Sequence, residues 1–149
     1  MRVSAKAEYA VLACIELAAA PGGPIKVQEI ADARGIPKRF LGTILVDLRN
    51  AGVVNSERGG AGGYWLALPA DEITLADVMR AVDGRLALIH GATPDAVSYS
   101  GVSAPLRDVW LALRAEVRFV LEGVTLADIV DNELPARVVR GNGTGSHSD

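Results

Sequence analysis

The chain has 149 residues, a single cysteine and a formal net charge of −3, with 50% hydrophobic and 22% charged residues. That composition excludes a disordered polymer and a disulfide-stapled scaffold, and a chain of this length buries roughly two-thirds of its unfolded surface without metal or cross-links. No run of about 18 apolar residues occurs, so no transmembrane helix or membrane partner is expected. The early charges of Arg2, Lys6 and Glu8 do not fit a signal peptide, and a cytoplasmic location is expected.

The charge is unevenly spread. Residues 1–70 carry eight Lys/Arg against six Asp/Glu, whereas residues 71–149 carry seven against twelve. The positive excess in the first half is small, so any nucleic-acid contact must rest on a few placed side chains rather than on a basic surface.

In chain order, residues 4–20 read as a helix with Ser4 as N-cap and Val11, Leu12, Ile15, Ala18 and Ala19 on one face. Pro21-Gly22-Gly23-Pro24 stops it. A second helix spans Val27 to Ala33 behind a poor cap, Lys26, and Gly35 marks a tight turn. A third runs from Pro37 to Asn50 with an apolar stripe of Phe40, Leu41, Ile44, Leu45 and Leu48. Arg39, Gly42, Thr43 and Val46 project from the opposite side, with Lys38 on the flank.

Residues 53–57 and 64–68 alternate as strands around a loop, Arg58 to Gly63, that holds four glycines and can pass close to another surface. Tyr64, Leu66 and Leu68 are expected on one face of the hairpin. Thr74-Leu75-Ala76-Asp77 has capping-box spacing and opens a helix ending near Gly84. The same four residues recur at Thr125 to Asp128, read as two similar helix starts and not a true repeat. Residues 85–103 form a long loop suited to sensing. Pro105 to Glu122 is a strong helix whose Leu106, Val109, Trp110, Leu113, Val117 and Val120, with Leu121, nearly trace a heptad seam.

The expected fold is mainly α with a small β-hairpin: a winged helix-turn-helix domain over 1–84, an effector loop over 85–103, a dimerisation helix with a short following helix over 104–135, and a disordered tail over 136–149. The third helix fits the major groove, which makes Lys38, Arg39 and Thr43 the candidates for DNA contact. The wing would bring Arg58, Gly59 and Gly60 to the minor groove. No nucleophile elbow or metal-ligand spacing is present, and the glycines lie between strands rather than before a helix, so neither an enzyme nor a metal site is expected.

Several stretches carry a resemblance. Met1-Arg2-Val3-Ser4, Glu8-Tyr9-Ala10-Val11, Glu29-Ile30-Ala31 and Ile36-Pro37-Lys38-Arg39-Phe40-Leu41 lead to the most specific one, Leu48-Arg49-Asn50-Ala51-Gly52-Val53-Val54-Asn55-Ser56-Glu57-Arg58-Gly59. Gly62-Gly63-Tyr64 continues it. The chain resembles the IscR, NsrR and CymR family of bacterial winged-helix regulators. The resemblance implies a homodimer centred on the Pro105–Glu122 helix, a two-fold operator, and Ser4 and Lys6 near the DNA backbone. Many members hold an iron–sulfur cluster on three cysteines in the segment equivalent to 88–103, which has none here. Cluster irons favour thiolates, so no cofactor is expected and the cluster-free branch is the match. Gly42-Thr43 also stands where many members carry Glu-Gln, so operator preference should differ.

The expected function is therefore that of a repressor acting as a homodimer on a palindromic operator, answering a small-molecule effector or a protein partner. His90, Asp95 and Tyr99 are the effector candidates, although a lone loop histidine is more often a plain surface residue. Cys14 reads as a buried inert thiol. The rival reading is a protein-interaction module with DNA binding secondary. An interface of that kind favours aromatic and apolar residues on the outer face of the third helix, where only Val46 is expected.

Overall fold

The computed structural model describes residues 2–140. Helix α1 spans Ala5–Ala19, and the Ser4 side chain accepts a bond from the Ala7 amide as its cap. Its buried residues are Ala7, Ala10, Ala13, Cys14 and Leu17. The face expected from bulk, Val11 to Ala19, is only partly buried, and Ala19 is exposed. The reason is that α1 is central, with other elements packed around it. Its alanines admit the closest neighbours, while its larger side chains fill the wider flanks.

Helix α2 (Val27–Arg34) starts at Lys26 without a side-chain cap, as its sequence suggests, and ends at Gly35 in the left-handed region with φ 64°. Helix α3 (Lys38–Asn50) follows after three residues. Pro37 is its N-cap rather than its first-turn residue. Leu41, Ile44, Leu45 and Leu48 are buried, but Phe40 is 37% exposed and meets Tyr9 edge-on at 5.7 Å. The stripe is therefore one residue narrower than its pattern.

Strands β1 (Val54–Glu57) and β2 (Gly63–Leu66) pair antiparallel, Val54 opposite Leu66 and Glu57 opposite Gly63. They are shorter than their alternation suggests. Leu68 lies beyond β2 and is half exposed, so it leaves the face shared by Tyr64 and Leu66. Ile25 joins the hairpin as an isolated bridge, exchanging backbone bonds of 2.9 and 2.8 Å with Tyr64. The Pro-Gly-Gly-Pro turn thus returns the chain to β2, on the side away from β1, before α2 begins.

Helix α4 (Leu75–Asp83) and helix α6 (Leu126–Val130) each start with a complete capping box, Thr74 with Asp77 and Thr125 with Asp128. Helix α5 (Leu106–Gly123) lies between them, and helix α7 (Ala136–Arg140) follows. Helix α1 packs against α3, α4, α6 and β2. The core does not stop at residue 84, because Leu126 is fully buried in the same cluster as Leu17, Ile44 and Val78. The expected boundary therefore cuts through one core, and the chain that follows α5 returns to complete it. Residues 136–140 form α7 where a disordered tail is expected, and the remainder of that tail lies outside the described residues.

The segment 85–103 is ordered by local turns and by α5. Ile89 and Ala92 form a bridge, and 3-10 turns occupy Pro94–Ala96 and Gly101–Ser103. Ala87 and His90 both have positive φ, 55° and 48°, which is uncommon for residues with a side chain.

Candidate nucleic-acid interface

Burying Leu41, Ile44, Leu45 and Leu48 fixes the rotation of α3 about its own axis. The opposite face then stands clear of the core, with Arg39 and Thr43 exposed on it and Lys38 exposed on the flank at the start of the helix. The Thr43 hydroxyl donates back to the Arg39 carbonyl at 3.3 Å, which leaves its lone pairs available for a further partner. Arg39 and Lys38 make no side-chain hydrogen bond or ion pair among the described residues. Val46 is exposed as expected, and Phe40 adds an unexpected aromatic edge to the same surface.

The wing places Arg58 at an exposed tip, directly after β1. The four glycines have different reasons to be there. A Cβ at Gly62 would lie 2.2 Å from the Glu57 carbonyl oxygen, and one at Gly63 would lie 2.6 Å from the Ile25 oxygen. Gly62 is required by the turn itself, and Gly63 by the close approach of Ile25. Gly59 has φ 104°, whereas a Cβ at Gly60 meets nothing within 4 Å and Gly60 needs no left-handed backbone. Among these four, Gly60 is the position whose bareness the chain's own fold does not use.

Ser4 and Lys6 part company. The Lys6 ammonium pairs with Asp47 of α3 at 2.7 Å and so sits beside the helix with two further donors. The Ser4 hydroxyl accepts from Ala7 and donates to Asp83 at 2.6 Å. That hydroxyl is committed, and the carboxylate next to it repels phosphate. Arg49 was not singled out by pattern. It donates to Ser56 at 3.1 Å and ties the end of α3 to the wing strand.

The effector candidates share no side-chain bond with one another among the described residues. Tyr99 accepts a bond from the Trp110 indole at 3.0 Å, and Asp95 pairs with Arg114 at 2.7 Å, so both anchor the segment to α5 one turn apart. The Arg114 guanidinium and nearby hydrogen bonds hold the Asp95 carboxyl below its ordinary range. His90 is exposed at its turn and makes no side-chain bond among the described residues. On α5 no residue is fully buried along 18 positions. Val109 is 56% exposed and Leu113 41%, while Leu106, Trp110 and Val117 are partly covered and Val120 is exposed. Phe119 is exposed as well, with the Arg137 guanidinium 3.8 Å over its ring. The heptad pattern misses it because it lies off the seam.

Three kinds of comparison bear on the family of this chain. The model of the Rrf2 family, described as an iron-dependent transcriptional regulator, matches residues 3–132. A Mycobacterium tuberculosis protein named as an HTH-type transcriptional regulator is 50% identical over 141 residues, covering 94% of this chain and 88% of the relative. The solved structure of CymR, the global cysteine regulator of B. subtilis, superposes with a TM-score of 0.75 at 31% identity, covering 89% of this chain and 98% of CymR. IscR from T. potens superposes at 0.72 with 27% identity, covering 99% and 94%.

The iron of the family description finds poor ligands in this chain. Its single cysteine, Cys14, is buried in α1, where burial pushes the thiol up to about 12. Among the described residues no three His, Cys, Asp or Glu side chains gather where a metal ion could be held. The donor set does not suit a cluster. Also among the described residues, no helix is long and apolar enough to cross a membrane. The family model and the relatives describe transcriptional regulators, not enzymes. The chain belongs to the Rrf2 family of winged-helix transcriptional regulators.

Proposed function

We propose that the protein is a homodimeric repressor that reads a palindromic operator with α3 and the wing and carries no iron–sulfur cluster. The observation that supports this most is the outer face of α3. Arg39 and Thr43 stand exposed there, with Lys38 on the flank at the helix start, while the other face is locked in the core. The N-terminal residues of such a helix enter the major groove, where an arginine fork matches the O6 and N7 of guanine. Lys6, beside Asp47, and Arg58, at the wing tip, supply backbone and minor-groove contacts on either side. A second copy covers the exposed seam of α5, and its symmetry sets the two recognition helices about one DNA turn apart, ~34–36 Å, or a multiple of it. A protein of this kind works in the cytoplasm. It answers a signal received at residues 85–103, which reach α5 through Asp95 and Tyr99. Neither a ligand nor a partner can shift DNA affinity except by preferring one dimer geometry.

The test is fluorescence anisotropy with the protein's own upstream promoter and with random DNA of the same length, across a salt series. The promoter should bind more tightly than random DNA, and both affinities should fall steeply as salt rises because phosphate contacts release counterions. Equal affinity for the two DNAs sinks the reading. A strong visible absorbance band in anaerobically purified protein sinks the cluster-free part alone.

A further inference from the structure

Four arginines line one concavity of about 400 Å³ where the end of α4, the segment that follows it and α5 meet. They are Arg80, Arg85, Arg114 and Arg118, and Thr93 and Leu86 complete the wall. Residues 71–149 contain only seven Lys/Arg, so more than half of the basic residues of an acidic stretch gather at one place. Guanidinium groups stay charged at every physiological pH, and such a site cannot relieve its repulsion by losing a proton.

Two carboxylates of the chain offset part of this charge. Glu122 accepts from Arg80 at 2.5 Å and from Arg118 at 3.2 Å, and Asp95 accepts from Arg114 at 2.7 Å. Arg85 makes no side-chain bond or ion pair among the described residues. Four guanidiniums therefore face two carboxylates, which leaves an excess of two positive charges. The existing pairs also show which chemistry the forks are set to meet, since planar guanidinium matches oxyanions with two or more oxygens. The volume suits a small molecule.

We propose that this concavity binds a small dianion (a phosphate, a sulfate or a dicarboxylate) and that occupancy changes how α4 sits on α5. Arg80 belongs to α4, which packs on α1 and α3. Arg114 and Arg118 belong to α5, and Glu122 is the clasp between the two helices. An anion that draws Arg80 and Arg118 to itself loosens that clasp. The binding claim stands on the concavity alone. Its regulatory consequence rests on the operator-binding reading, because α5 then sets the spacing of the recognition helices.

The experiment is calorimetric titration of the full chain, without DNA, using sodium phosphate, sodium sulfate and sodium succinate, each against sodium chloride at matched ionic strength. One of the three should bind saturably with one site per chain. The double variant Arg85→Ala, Arg118→Gln should weaken it about a hundredfold or more, since each of the two lost charge-assisted bonds is worth about tenfold or more. Arg137→Ala, outside the site, should not. No heat beyond chloride for any anion, or equal binding by the double variant, overturns the proposal. A double variant that loses affinity equally for promoter and random DNA, with no anion saturation in the parent, makes these arginines DNA-phosphate contacts and overturns it too. Saturable anion binding by a protein that does not distinguish promoter from random DNA upholds the site and removes only the operator reading.

Discussion

Thr74 and Thr125 face each other across an antiparallel bridge, each at the start of its own helix. The Leu75 amide donates to the Val124 carbonyl and the Leu126 amide to the Ile73 carbonyl, both at 3.0 Å. The two Thr-Leu-Ala-Asp stretches therefore serve as matching halves of one junction that fastens α6 to α4. Each threonine satisfies an amide of its own helix, and each backbone satisfies the other's.

This junction makes Thr125 costly to lose. Thr125→Ala leaves the Asp128 amide without its partner and should destabilise the fold by about 1 kcal/mol, while Thr125→Ser should recover most of that. Thermal unfolding at fixed protein concentration reads the difference, since oligomer stability depends on concentration. Equal loss in Ala and Ser would mean that packing of the methyl group, not the cap, is at stake.

The wing glycines separate in the same way. Gly62→Ala drives a Cβ into the Glu57 carbonyl and should cost about 1–3 kcal/mol, as overpacking against backbone does. Gly60→Ala meets open space, so its thermal stability should match the parent and any effect should appear only in DNA affinity. A stable Gly62→Ala protein would contradict the turn geometry.

For recognition, Arg39→Ala should reduce affinity for the promoter by about tenfold and affinity for random DNA by less, as a lost base contact worth about 1–3 kcal/mol requires. Arg58→Ala should weaken sites with a narrow minor groove most. Anisotropy on matched promoter variants decides. Uniform loss across sequences would reduce both residues to phosphate contacts.

The α5 seam gives a prediction about assembly. Leu113→Glu puts a charge where a second copy is proposed to sit, while in the single chain that side chain is 41% exposed. Light scattering should show a monomer with parent-like helical content. Operator affinity should fall sharply, because two half-sites can no longer be held together. A dimer of unchanged stability would place the interface elsewhere.

Cys14 sets a pH window. Its thiol is raised from 9.0 to about 12 by burial. Above pH 9 the unfolded chain releases this proton while the folded chain keeps it, so stability should fall as pH rises from about 9 towards 12. Below pH 9 both states hold the proton and Cys14 contributes no slope. Native protein at pH 8 should not react with a thiol reagent, and unfolded protein should react fully. Rapid reaction of the native thiol would show that α1 opens.

The sequence by itself determined helices α1 to α6, the hairpin and the outer face of α3, but not α7, which forms where a disordered tail is expected. Each rests on local information: the 3.6-residue spacing of Leu41, Ile44, Leu45 and Leu48, the three-residue spacing within the capping boxes, and the glycines of a tight turn. Spacing also marked Arg39 and Thr43, because residues opposite a buried stripe have nowhere else to go, and left Lys38 on the flank beside them. Tertiary structure alone decided which partners meet. That Ile25 extends the wing, that Lys6 finds Asp47 while Ser4 finds Asp83, that Leu126 completes the core of residues far before it, and that four arginines share one hollow are pairings across long stretches of chain. Periodicity records which way a side chain faces its own element. It does not record what another element brings to that face, and that depends on how the alanines of α1 let α3, α4 and α6 close around it.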